Sequence, residues 1–385
     1  MKILQVIQFL SPTKGGSVVI PYNLSIKLVE KGNEVMILTT DHYLDKNYLN
    51  MLKEKGIEVT VLKVKISIGG FLYTPAIKKW MKNNIQNFDI IHLHNYRTYQ
   101  NVHSSKFGKK YKIPIIMNAH GSILRISGRK LIKYIFDFVW GYTILKKCDK
   151  FIAVSKVEIK QYEKFLAKYA LTSYEISEIP NGVEINKLVT LEDIGKNKKA
   201  NNLIEILYVG RIHKRKGILF LLEAFQKFHK DISNSKLTII GPDDGYLKNV
   251  INYINKNKLK EKITIFGFVN EKEKIQSYQK ANILVYPAVD EIFGLVPFEA
   301  ILNGTPVIVC SDSGCGELIE ENKAGIVIEY NNVEELYLSM KKLALDENLK
   351  NLYVHNGRKF IEEKLNWELV SNLYLAEYSN MINRN

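Results

Sequence analysis

Apolar residues gather into short, near-continuous runs along the chain, with longer stretches of helical period between them. Runs of strand length occupy 2–9, 34–39, 57–64, 89–93, 114–119 and 150–154. A second series occupies 204–209, 236–241, 262–267, 283–287, 306–310 and 325–329. Strand, helix, strand at this spacing predicts parallel sheets joined by right-handed crossovers. Runs such as Ile204 to Val209 lack polar alternation, as strands buried on both faces do. Two series predict two doubly wound, Rossmann-like α/β domains facing a cleft, one over residues 1–185 and one over 203–365. Between them Asn186 to Asn202 is polar and aperiodic, with Gly195-Lys196-Asn197-Lys198-Lys199, and reads as a linker. From about residue 333 the pattern is helical, with Trp367, Leu369, Leu373 and Leu375 near the end.

Ligands of open α/β sheets bind beyond the carboxyl ends of the strands, so the loops after strands are the places to look for chemistry. After the first strand comes Ser11-Pro12-Thr13-Lys14-Gly15-Gly16-Ser17, where glycines permit a tight turn and a helix N-terminus offers N–H groups to an anion. The same residues also suit a plain strand–helix turn. After the run at 114–119 comes His120-Gly121-Ser122. His120 is placed to contact a sugar or move a proton, or to be a satisfied loop histidine. His92 and His94 alternate onto one strand face with no third metal ligand evident, so a structural use is expected and no metal site.

The second series opens with Val209-Gly210-Arg211-Ile212-His213-Lys214-Arg215-Lys216-Gly217. Arginine forks onto phosphate and lysine adds a point charge, so cations at a strand–helix junction suit a diphosphate. The strongest motif is Asp290-Glu291-Ile292-Phe293-Gly294-Leu295-Val296-Pro297-Phe298-Glu299-Ala300. It puts Glu291 in a loop and Glu299 one to two turns into a helix, with Pro297 near the helix start. Carboxylates there accept hydrogen bonds from vicinal hydroxyls, and first-turn N–H groups take sugar or phosphate oxygens. The spacing also suits a two-carboxylate glycosidase pair.

Composition narrows the partners. The 385 residues carry 55 Lys and Arg against 40 Asp and Glu, a formal net charge of +15. Residues 1–200 hold 32 basic and 16 acidic side chains, which leaves 23 and 24 for residues 201–385. The excess is therefore confined to the first half. Within it, Arg125, Arg129, Lys130, Lys133, Lys146 and Lys147 interleave with Phe136, Phe138 and Trp140, and Lys78, Lys79 and Lys82 flank Trp80. Basic residues with interleaved aromatics suit an anionic membrane surface or a lipid-diphosphate acceptor. They equally suit a packed aromatic core with a solvated lysine face. No nucleic-acid module is present, so no nucleic acid is expected. Cys148, Cys310 and Cys315 form no C-x-x-C pair, which fits a reducing compartment. Met1-Lys2 runs straight into the first strand, and the longest apolar stretch, Tyr134 to Leu145, is short and carries Asp137. A cytoplasmic protein is expected, peripheral on the inner face of a membrane if attached at all.

Glu291 and Glu299 in Glu-x-Phe-Gly-Leu-Val-Pro-x-Glu-Ala, followed by Asn303-Gly304-Thr305-Pro306-Val307-Ile308, resemble the signature of family 4 glycosyltransferases. The resemblance spans nearly the whole chain through Gly15-Gly16, His120-Gly121, Ala153-Val154-Ser155, Ile179-Pro180-Asn181-Gly182-Val183, Gly210-Arg211, Lys216-Gly217 and Gly241-Pro242. It implies the GT-B architecture and a retaining transfer from a nucleotide sugar, UDP- or GDP-linked, to a saccharide or lipid-linked saccharide. Implied roles follow by position. Arg211, Lys216 and Gly16 hold the donor diphosphate, and Glu299 the ribose. Glu291 with Phe293, Gly294, Leu295 and Val296 holds the donor sugar, His120 contacts it near the anomeric carbon, and His120 and Glu291 are the implied catalytic residues. Gly267, Phe268 and Val269 meet the base. The first domain takes the acceptor, with Arg125, Arg129, Lys130 and Lys133 on an acceptor or membrane face, and the helix at 366–385 packs back onto it. No cofactor and no metal are implied, since Arg and Lys stand in for a cation. One departure is Ser313-Gly314-Cys315-Gly316-Glu317, where Cys315 separates glycines that the family often has adjacent. The alternatives are a nucleotide-sugar epimerase or phosphorylase of this architecture and a catalytically silent binding subunit. A dehydrogenase is disfavoured because no G-x-G-x-x-G follows either first strand.

Overall fold

The computed structural model of the chain describes residues 1–11, 16–124, 130–185 and 203–384. Contacts divide it into two units, Met1–Gly182 with Trp367–Asn385, and Val183–Asn366. The expected linker at 186–202 lies outside the described residues, as do Arg125, Arg129 and the loop at 12–15.

In the first unit the strands are β1 (Lys2–Val6), β2 (Glu34–Thr40), β3 (Glu58–Leu62), β4 (Ile66–Ile68), β5 (Phe71–Tyr73), β6 (Ile90–His94), β7 (Ile115–Asn118), β8 (Lys150–Ala153) and β9 (Ile176–Glu178). Seven form a parallel sheet in the order β3-β2-β1-β6-β7-β8-β9. Its central strands are buried along their length, which is why they read as unbroken apolar runs. β1 stops at Val6 although the apolar run continues to residue 9. Ile7 and Leu10 are buried as loop residues, so burial outlasts the strand.

Three strands of this unit escape the apolar pattern. β4 and β5 pair antiparallel, Ile68 with Phe71, across Gly69 and Gly70 with φ of +57° and +85°. Two central residues at positive φ make the turn whose twist matches a hairpin, and the Gly-Gly pair was the available signal. β9 is a three-residue edge strand, too short to carry a period.

The second unit repeats the plan with β10 (Ile204–Val209), β11 (Ser235–Ile240), β12 (Ile263–Phe266), β13 (Ile283–Tyr286), β14 (Val307–Cys310) and β15 (Ile326–Ile328). They are ordered β12-β11-β10-β13-β14-β15, all parallel. The order reverses direction between β10 and β13, and in the first unit between β1 and β6. Such switch points open a crevice at the carboxyl ends of the strands. Each unit has its own apolar core.

The final helix, Trp367–Asn383, belongs to the first unit. Tyr374 and Tyr378 are buried, and Tyr378 bonds His92 at 2.7 Å. Lys31 pairs with Glu368, and Lys150 with Glu377.

Candidate active site

The loops after β10 and β13 meet at the switch point of the second sheet. Gly217 has φ +66°, and a Cβ there would lie 2.1 Å from the Pro287 carbonyl oxygen. Only glycine lets the two loops approach so closely. The Val289 N–H donates to the Arg215 carbonyl at 3.0 Å and ties them together.

Across this junction the Lys216 ammonium donates to Glu291 Oε2, and at 2.8 Å to the Tyr286 hydroxyl. Tyr286 in turn donates to Glu291 Oε2 at 3.0 Å. Burial pushes the Glu291 carboxyl up. The Lys216 charge and the hydrogen bonds from Lys216 and Tyr286 outweigh it, so the net shift is downward, with Arg211 adding a weaker pull. Glu291 is therefore an anion at neutral pH, held beside a cation. Arg211 is exposed and pairs with Asp244 at 2.7 Å. Its carbonyl accepts from the Tyr208 hydroxyl at 3.0 Å, which fixes the backbone while the guanidinium stays at the surface.

Gly294, with φ +76°, precedes the helix Leu295–Leu302. A Cβ at Gly294 would meet Cys315 Sγ at 3.0 Å, Tyr286 at 3.2 Å and Glu291 at 3.3 Å. Phe293 is buried against Phe298, with ring centroids 5.4 Å apart. That anchor holds the first-turn N–H groups of Leu295 and Val296 at the helix start, where orphan donors suit an oxygen ligand. Glu299 lies one turn on. It accepts from the Tyr278 hydroxyl at 2.8 Å and pairs with Lys274 at 3.0 Å. Glu291 and Glu299 thus keep separate partners.

The departure at Cys315 is absorbed by packing. Ser313 caps the helix Gly314–Glu321, Cys315 is buried with Sγ 3.3 Å from Ser313 Oγ, and the Gly314 N–H donates to the Glu291 carbonyl at 2.8 Å. Burial pushes the Cys315 thiol up to about 12, so it is a neutral packing group. Gly267, Phe268 and Val269 follow β12, and the Gly267 carbonyl accepts from the Gly241 N–H at 3.1 Å. That bond sets them on the same sheet edge as Arg211. Phe268 is exposed.

In the first unit Gly16 begins the helix Gly16–Glu30. His120 sits after β7 at φ +49°, with Nε2 3.0 Å from His94 Nδ1 and the two rings stacked. His94 Nε2 bonds Gln5, and His92 bonds Asn118 and Tyr378. The strand histidines thus serve a buried hydrogen-bond network. Burial lowers His120 to about 4, so its ring is neutral at pH 7. Sequence reasoning missed Glu158, whose carboxylate accepts from the Gly121 N–H at 2.7 Å and the Val154 N–H at 2.9 Å. Ser155-x-x-Glu158 has capping-box spacing, which was the available signal. Lys130 and Lys133 lie on the helix Lys130–Phe136. Of the interleaved aromatics, Phe136 is core and Trp140 packs against it, whereas Phe138 is exposed.

Comparison with known proteins shows the family and the fold. Residues 14–187 match the family model described as Glycosyltransferase Family 4, and residues 189–360 the model described as Glycosyl transferases group 1. An uncharacterized glycosyltransferase of Methanocaldococcus jannaschii is 31% identical over 93% of this chain and 92% of its own length. An Escherichia coli relative is named as the UDP-Gal:alpha-D-GlcNAc-diphosphoundecaprenol alpha-1,3-galactosyltransferase. It is 25% identical over 73% of this chain and 72% of its own. The crystal structure of Anabaena HepE in complex with UDP-glucose shares the fold at a TM-score of 0.78, with 18% identity over 99% of this chain and 100% of that one. The chain belongs to the family 4 glycosyltransferases and has the GT-B architecture. This favours transfer over the epimerase, phosphorylase and silent-subunit alternatives. Among the described residues no helix is long and apolar enough to cross a membrane.

Proposed function

We propose that the chain transfers a hexosyl group from a UDP- or GDP-linked sugar to a hydroxyl of a saccharide or lipid-linked saccharide, in cell-surface polysaccharide or glycolipid synthesis. In this reading the anomeric configuration is retained and neither metal nor cofactor takes part. The observation that carries it is the meeting of Lys216, Tyr286 and Glu291 at the switch point of the second sheet. Arg211 and Glu299 stand on the same sheet edge. The E. coli relative's name, with a UDP-sugar donor and a diphosphoundecaprenol-linked acceptor, supports the substrate classes.

In this mechanism the anomeric C–O bond breaks and its electron pair passes to the departing phosphate oxygen. Arg211 and Lys216 neutralise the charge that develops there, which is electrostatic stabilisation of the transition state. The acceptor oxygen bonds to the anomeric carbon on the face the phosphate leaves, and its proton passes to that phosphate. No protein nucleophile enters. Glu291 and the Leu295 and Val296 N–H groups hold the sugar hydroxyls, and Glu299 holds the ribose. The residues Gly267, Phe268 and Val269 meet the base.

The test needs no acceptor. Slow donor hydrolysis by the purified chain is followed by proton NMR before mutarotation, with and without EDTA. Release of the α-sugar from an α-linked donor, undiminished by EDTA, is expected. First release of the β-anomer contradicts retention, and loss of turnover in EDTA contradicts metal independence.

A further inference from the structure

The helix Lys130–Phe136 runs through a π-helical turn, Asp137–Gly141, into the helix Tyr142–Lys147. Leu131, Tyr134, Ile135, Phe138, Val139 and Tyr142 are all exposed, Leu131 at 71% and Phe138 at 81%. Their spacing of three, one, three, one, three is that of one helical stripe. An apolar stripe facing solvent inverts the usual arrangement and marks an interaction surface.

The inner face shows that the stripe is held outward. Asp137 is buried and takes a bidentate pair from Arg97, 2.7 Å on each oxygen. The same guanidinium donates to the carbonyls of Ser122 and Ile123. A Cβ at Gly141 would lie 2.3 Å from the Tyr96 hydroxyl, so the helix lies tight on the core. Trp140 stacks on Phe71, centroids 5.6 Å apart, and joins the helix to the β4–β5 hairpin, where Ile66 and Ile68 are exposed as well.

Charge selects the occupant. Lys130 and Lys146, both exposed, bracket the stripe, Lys133 and Lys147 lie half-buried beside it, and Asp137 is the sole acidic residue from 130 to 147. Lys106 lies on the neighbouring helix Tyr99–Tyr111 and adds to the basic charge of this region. A second copy docking stripe to stripe would set these lysines against one another. An anionic surface would pair with them.

We propose that the stripe from Leu131 to Tyr142 is an in-plane membrane anchor that lies in the headgroup boundary of an anionic bilayer. At about 1.5 Å per residue, the 18 residues from Lys130 to Lys147 extend about 27 Å. That suits lying along the interface, where apolar burial and basic residues act together. Each lysine near an anionic surface strengthens binding roughly fivefold. The proposal deepens the lipid-linked acceptor reading, and its test reads vesicle binding without donor, so a failure here leaves the donor-site reading standing.

The experiment is flotation of the full chain with phosphatidylcholine vesicles and with vesicles one-quarter phosphatidylglycerol. The wild type is expected to bind the anionic vesicles at least tenfold more tightly, and less tightly in 0.5 M NaCl. Leu131→Asp with Phe138→Asp should weaken that binding at least tenfold with an unchanged melting temperature, since both side chains are exposed. Leu345→Asp, at an equally exposed apolar residue on the second unit, should leave binding unchanged. Absence of binding to anionic vesicles, equal loss in the Leu345 variant, or a dimer in light scattering that the double variant dissolves would each overturn the proposal.

Discussion

Lys216 and Glu291 are joined by a direct ion pair between the two loops that meet at the switch point of the second sheet, and the Tyr286 hydroxyl bridges both. The pair joins the element proposed to neutralise the diphosphate to the element proposed to hold the sugar. Removing one partner of a partly buried pair costs about 3 kcal/mol, because the other charge is left without compensation. Lys216→Met is expected to lose about that much stability in chemical denaturation and to weaken nucleoside-diphosphate binding at least tenfold. Adding Glu291→Gln should recover much of the stability and none of the affinity. Recovery of both would contradict the assignment of Lys216 to the diphosphate.

Glu299 is held by Tyr278 and Lys274, one turn into the helix that Gly294 begins. A hydrogen bond to a charged group is worth about 1.5–3 kcal/mol. Glu299→Gln keeps the shape and is expected to lower nucleotide affinity about tenfold by calorimetry, with a small change in melting temperature. Unchanged affinity would remove Glu299 from the ribose contact.

Gly294 sits at φ +76° within reach of Cys315, Tyr286 and Glu291. A left-handed conformation costs a residue with a Cβ about 1–2 kcal/mol, before any contact has to shift. Gly294→Ala should lower the melting temperature and reduce turnover, because the displaced neighbours are the site itself. A variant with wild-type turnover would show that this geometry is not required.

Stability should depend on pH with a definite sign. Burial holds His92 at about 3, His120 at about 4 and His94 well below its ordinary value. In the unfolded chain they protonate near 6.5. Between about pH 4 and 6.5 the unfolded state therefore binds more protons, and stability rises with pH. Glu158 opposes this. Burial pushes its carboxyl up to about 7, against the hydrogen bonds from Gly121 and Val154. Its contribution is present below its unfolded value near 4.5 and is lost as pH rises through 7. Melting temperature should rise from pH 4.5 to 6.5, and more steeply in Glu158→Gln. A shallower rise in that variant would contradict the sign.

The sheets were legible in the sequence because parallel strands are buried on both faces, so that 204–209 or 283–287 reads as an unbroken apolar run. The loop chemistry was legible where local spacing carries it, as at Glu291, Glu299 and Lys216. What was not legible arises from contacts distant in sequence. The pairing of His94 with His120 and the clasp of Glu158 on Gly121 join residues 26 and 37 positions apart. Phe136 and Phe138 look alike in sequence, yet one is core and the other exposed, because Arg97, itself far along the chain, sets which face of that helix turns inward through Asp137.

The central claim is that the second unit binds a nucleoside diphosphate through Arg211, Lys216 and Glu299. The most direct test is calorimetric titration of the full chain with UDP, GDP and ADP, repeated on Arg211→Ala and Glu299→Gln. Saturable binding of UDP or GDP, weakened at least tenfold in both variants while their melting temperatures hold, is the predicted result. A folded chain that binds none of the three, or binds equally well in both variants, would contradict it.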